Sequence, residues 1–203
     1  TDDLALVEGL PLDEKHFRIA ELEQRIREAD ELIANDPAGS AHLIRHSLRW
    51  LDELGKLFYV LADYPQSETT FRKALAVAEE LGDDEQAIAR CKNGLGFIYL
   101  DRAEYAKARE QFEGALKIYA RVLWPDHPFV GTIVNNLGQV LQALGDLSRA
   151  KGVYERALKI EEKALGPGHP NVAFRMNILG LVLRALGDLS GAKGAVERAL
   201  QID

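Results

Sequence analysis

Ala143-Leu-Gly-Asp-Leu-Ser-Arg-Ala-Lys-Gly-Val-Tyr-Glu-Arg-Ala-Leu-Lys-Ile160 returns as Ala185-Leu-Gly-Asp-Leu-Ser-Gly-Ala-Lys-Gly-Ala-Val-Glu-Arg-Ala-Leu-Gln-Ile202, a shift of 42 residues. Self-similarity at a fixed period is the signature of a repeat architecture. The same step from Gly138 reaches Gly96, and Gly55 lies 41 further back, so a Leu-Gly pair recurs at 54/55, 95/96, 137/138 and 179/180. Ten residues past each Leu stands Tyr64, Tyr105, Leu147 or Leu189. Ser67, Ala108, Ala150 and Ala192 follow, then Phe71, Phe112, Tyr154 and Val196, then Ala74, Ala115, Ala157 and Ala199. Small residues at fixed offsets from large ones are what two antiparallel helices need, since Gly and Ala let backbones approach while Leu, Phe and Tyr fill the gaps. Each half-repeat keeps a helical period, as in Phe112, Ala115, Leu116 and Tyr119. The unit is a helical hairpin.

This register predicts first helices near 40–61, 84–101, 128–144 and 170–186, and second helices near 65–81, 104–123, 146–164 and 188–202. Pro65, Pro128 and Pro170 sit where a first-turn proline is tolerated, because its missing N–H would be unpaired there anyway. Ahead of the repeats, 12–34 reads as a further helix with Ile19, Leu22, Ile26, Ala29 and Ile33 on one stripe. It is expected either to cap the first repeat or to reach a partner or the binding groove as an internal ligand. The organisation expected is therefore an acidic N-terminal segment, 1–36, and four hairpins over 37–203.

The pattern resembles the tetratricopeptide repeat: Leu-Gly early in the first helix, an aromatic near the turn, then Ala, Phe/Tyr and Ala on the second. The likeness covers roughly 41–203. The period of about 42, the linkers Trp124-Pro-Asp-His-Pro-Phe-Val and Gly166-Pro-Gly-His-Pro-Asn-Val, and Asn135-Asn-Leu-Gly are similar to the long-repeat subclass of kinesin light chains. The same subclass occurs in bacterial signalling proteins behind a nucleotide-switched ATPase module. The first repeat lacks the His-Pro linker, and Lys92 stands where the family prefers a large apolar residue, which implies less regular packing in the second repeat. The resemblance implies an all-α fold, a right-handed α-solenoid of antiparallel helix pairs, with the N-terminal helix added.

Composition agrees with an ordered globular chain, since 203 residues with 47% hydrophobic content can bury a sizeable core. Of the net charge of -7, the whole excess lies in 1–36, which carries 11 acidic and 4 basic residues; the remainder is balanced. A neutral body without a basic stripe offers nothing to neutralise phosphates, so neither nucleic acid nor a membrane surface is expected as partner. No apolar run reaches membrane-spanning length. The first residue, Thr1, suggests a fragment or a processed form. The single cysteine, Cys91, suits a reducing compartment, and a cytoplasmic location is expected.

Candidate chemistry is thin. Gly94-Leu-Gly96 falls within a helix rather than after a strand, which favours close helix packing over nucleotide binding. His42 and His46 have metal-ligand spacing, but no third ligand is evident. His127 and His169 precede proline at equivalent places, which argues for helix entry. Cys91 reads as a buried or bystander thiol. Trp124 replaces the glycine of the next linker, and packing or an exposed contact both remain open. Neither catalysis nor a cofactor is expected.

Function then rests on the face that stacking creates. In the family resembled, first helices line a concave ligand groove. Carried over, it comprises Arg49, Asp52, Lys56 and Tyr59, then Arg90, Asn93, Phe97 and Leu100. Thr132, Asn135, Gln139 and Gln142 follow, then Phe174, Asn177, Leu181 and Arg184. Each set is i, i+3, i+7, i+10, one helix face. Amides, aromatics and isolated charges suit an extended peptide or protein segment. Asn93, Asn135 and Asn177 share one position and would form a ladder of donors and acceptors along a ligand backbone. The alternatives are a sensor module of a larger ATPase signalling protein, and end-to-end self-association through Val196, Leu200 and Ile202 in the last hairpin.

Overall fold

The computed structural model describes residues 7–37, 39–123 and 127–202. Among them are nine helices: α1 Leu12–Asn35, α2 Ala41–Val60, α3 Tyr64–Leu81, α4 Glu85–Asp101, α5 Tyr105–Val122, α6 Pro128–Ala143, α7 Leu147–Leu165, α8 Pro170–Ala185 and α9 Leu189–Ala199. No strand occurs among the described residues. Boundaries fall within a residue of those expected, except that α9 ends three residues early. Trp124 and the acidic start of the chain lie outside the described residues.

The hairpin corners share one backbone solution. In each, two N–H groups fold back on the preceding helix: Ala62 to Tyr59 and Asp63 to Phe58, Ala103 to Leu100 and Glu104 to Tyr99, Gly145 to Gln142 and Asp146 to Leu141, Gly187 to Arg184 and Asp188 to Leu183. This pairing satisfies carbonyls that the helix end would leave open, and it requires a left-handed residue. Gly145 and Gly187 supply it with φ of 78° and 84°; Ala62 and Ala103 supply it at 58° and 57°. The next residue then starts the second helix. Asp63, Asp146 and Asp188 each accept a bond from the backbone N–H three residues on, at 3.2, 3.1 and 2.8 Å. Glu104 makes no such cap.

Linker histidines start first helices in the same way. The imidazole Nδ1 of His127 accepts from the Phe129 N–H and that of His169 from the Asn171 N–H, both at 3.1 Å. Proline follows each histidine at the first helical turn. The recurring His-Pro pair is thus a helix-entry device.

Helices pack into two compact units, Thr1–Ile98 and Tyr99–Asp203. In the first, Leu22 and Ile26 of α1 join Leu48, Leu51, Leu54, Leu57, Ala74 and Ala78 in one core. Arg18 adds two bonds to Glu53 of α2 at 2.6 and 2.9 Å, and Lys73 of α3 reaches Asp30 at 2.6 Å. The Phe71 ring, 2% exposed, lies between two glycines. A Cβ built on Gly55 would stand 2.9 Å from it, and one on Gly94 only 2.6 Å. Gly94-Leu-Gly therefore serves helix packing. Lys92, the departure from pattern, is half-buried and lies 3.9 Å from Glu79 of α3.

In the second unit, α6–α7 and α8–α9 repeat the arrangement. Tyr154 fills the place of Phe71, its ring 2.6 Å from where a Gly138 Cβ would be. Its hydroxyl donates to Gln142 at 3.3 Å, and burial pushes its pKa up to about 12. Smaller Val196 takes the place in α9, 3.2 Å from a Gly180 Cβ. Fully burying a side chain such as Phe71 stabilises by roughly 1.5–3 kcal/mol.

Candidate functional site

Two helices of the first unit carry inner-row residues. On α2, Arg49 is exposed, whereas Asp52 and Lys56 are paired at 2.6 Å with side chains 15% and 18% exposed. The other Asp52 oxygen, Oδ1, is buried without a hydrogen-bond partner. Tyr59 lies 6.0 Å from Tyr64 and 6.1 Å from Phe97, so α2 and α4 share an aromatic cluster. Arg90 is 4.0 Å from Asp84, and Asn93 is half-buried with its Oδ1 unpartnered. An orphaned buried acceptor costs about 1–3 kcal/mol. Cys91 is buried, and desolvation, aided by the nearby Asp52 carboxylate, raises its pKa to about 12. It is a packed thiol.

The second unit holds the remaining row. Leu100 at the end of α4 is half-buried. Thr132, Gln139 and Gln142 on α6 are exposed, as are Phe174, Asn177, Leu181 and Arg184 on α8. Asn135 departs from them, at 9% exposure. Its Oδ1 accepts from Arg175 Nη1, and its Nδ2 donates to Asn136 at 3.4 Å. Arg175 in turn binds both Glu161 oxygens, at 3.1 and 2.6 Å. The three asparagines expected to form a ladder differ in their surroundings. Asn177 faces solvent, Asn93 is half-buried, and Asn135 is spent on a neighbouring helix.

Arg175 and Glu161 were not singled out from sequence. A signal existed in the register, where Arg175 occupies the place of buried Cys91 and Ile133. A charge at a core position demands a partner. His42 and His46 are exposed, His46 stacking on Trp50 at 5.8 Å. No group of three potential metal ligands occurs among the described residues. No helix among them is long and apolar enough to cross a membrane.

The tetratricopeptide repeat family model matches residues 47–121, 88–163 and 129–203. The chain belongs to the tetratricopeptide repeat family. Its fold is accordingly an all-α helical-repeat solenoid, and kinesin-light-chain-like repeats are among its structural neighbours. BtubC (BKLC) from P. vanneervenii superposes with a TM-score of 0.73 at 29% identity, over 93% of this chain and 73% of that one. A putative kinesin light chain from Podosopora anserina, with nearly identical tetratricopeptide-like repeats, gives 0.66 at 18% identity, over 91% and 95%. A Rap protein complexed with competence and sporulation factor gives 0.63 at 18% identity, over 93% and 49%. Among curated proteins none matches this tetratricopeptide repeat chain.

Proposed function

We propose that this chain is an interaction scaffold that binds a peptide or protein segment along the inner row of its first helices. One observation carries the reading. On α6 and α8, stacked hairpins leave Gln139, Phe174, Asn177 and Leu181 exposed on equivalent faces. Amides and apolar side chains on one face match the needs of a peptide, whose backbone seeks hydrogen bonds and whose side chains seek burial. A neighbouring fold, the Rap protein, is complexed with a factor of its own. The chain acts by binding rather than by catalysis, in a reducing, cytoplasmic setting.

Display of peptides drawn from the source proteome tests this. A Gln139→Glu/Asn177→Glu variant is expected to lose the peptides that wild type retains, while Lys159→Glu on the exposed side of α7 retains them. Equal retention by both variants refutes the inner row as the site.

A second reading concerns self-association. Val196 and Leu200 on α9 are 39% and 77% exposed, whereas their equivalents on α7, Tyr154 and Leu158, are 0% and 8% exposed. This open flank would suit a second copy. Sedimentation velocity over a wide concentration range decides: a monomer throughout eliminates it.

A further inference from the structure

Large apolar side chains stand in the open on α8: Phe174 is 61% and Leu181 53% exposed. Exposure in the last hairpin could merely mark the surface that another hairpin would cover. The internal repeat decides against this. Helix α6 has a hairpin stacked upon it, and yet Thr132 and Gln139, the equivalents of Phe174 and Leu181, remain exposed. A stacked hairpin therefore leaves this row open. What it does cover is the row of Tyr154 and Leu158, buried on α7 and open at Val196 and Leu200 on α9. Phe174 and Leu181 are thus available to a ligand rather than to a neighbouring repeat.

Their surroundings are built for that use. The Arg175 guanidinium lies 5.9 Å from the centre of the Phe174 ring. Arg175 itself is held by Glu161 and Asn135, with its side chain only 12% exposed. A braced aromatic loses little freedom when a ligand covers it, which is the property of an interface anchor. No carboxylate belongs to the row on α6 or α8. Arg184, exposed one helical turn past Leu181, has no ion-pair partner among the described residues.

Seven helical residues place Phe174 and Leu181 about 10 Å apart. Three residues of a polyproline-type chain cover about 9 Å and bring residues i and i+3 to the same side. We infer that this face selects a peptide with two apolar side chains three positions apart, followed on the Arg184 side by Asp or Glu, and that Asn177 bonds the intervening backbone. The inference rests on the inner-row reading above and names its ligand class.

Selection of random displayed peptides on wild type and on Phe174→Ser/Leu181→Ser tests it, with the best peptide then titrated calorimetrically. Both replaced side chains are exposed, and thermal melts establish that the variant is folded. Wild type is expected to enrich the apolar-x-x-apolar pattern with a flanking acid, and the double variant to bind the selected peptide at least about tenfold more weakly. Arg184→Glu should reverse the preference from an acidic to a basic flank. Peptides that bind both proteins equally would overturn the inference while leaving peptide binding intact. No enrichment at all would refute both. A wild-type dimer that the double substitution dissociates would assign the face to a second copy and overturn the peptide.

Discussion

Asn135 and Asn177 occupy the same register, yet one amide is spent inside the protein and the other faces solvent. Asn135→Ala should cost about 0.5–1.5 kcal/mol of stability, because the Arg175 guanidinium loses one acceptor and keeps Glu161. Asn177→Ala should leave stability unchanged; paired urea titrations check both. The candidate row was legible as a row because its i, i+3, i+7 spacing is a property of one helix. The fate of each member was not, because it depends on a partner such as Arg175, 40 positions from Asn135 and on another helix. Backbone conformation carries a second residue-scale consequence. Ala62 and Ala103 hold left-handed backbone where the later hairpins use glycine. That conformation costs an L-residue roughly 1–2 kcal/mol, against about 0.5–1 kcal/mol for glycine's extra freedom in the unfolded chain. Ala103→Gly should raise the urea midpoint, a gain of about 0.5–1 kcal/mol; an unchanged or lowered midpoint would show that the corner carries no such strain.

Helix entry on α8 relies on one acceptor, the Nδ1 of His169. His169→Ala should cost about 0.5–2 kcal/mol, the usual value of an N-cap, and His169→Asn should recover most of it by restoring a side-chain acceptor. Thermal melts of the three proteins separate capping from linker packing, since packing would not be rescued by the smaller amide. Interior glycines act differently. Leucine at Gly138 would drive into the Tyr154 ring, which already stands 2.6 Å from a bare Cβ, so Gly138→Leu should destabilise by about 1–3 kcal/mol. Nearly all of this element structure was readable beforehand, because proline, glycine and aspartate mark helix ends through short-range chemistry. Pattern alone extends α9 through Leu200 and Ile202, whereas the helix closes at Ala199; a period marks which residues share a face and leaves the final turn undefined.

Helix α1 belongs to the core of the first unit, contributing Leu22 and Ile26 beside Leu48 and Leu51. We propose that it acts as a cap. Deleting residues 1–36 should then lower the melting temperature and promote association by exposing that core. If α1 instead serves as an internal ligand, the same deletion should leave melting unchanged and tighten peptide binding. The two outcomes are read from one protein by calorimetry and sedimentation. Phe71 has a wider bearing. One ring closes against Gly55 in its own hairpin and against Gly94 in the next helix. Lifting α4 away would uncover the same ring that seals α2 to α3, so the two contacts share their fate. Amide protons of α2, α3 and the Gly94 turn of α4 should consequently exchange through a common opening, at a common rate, in place of the gradual fraying expected of independent hairpins.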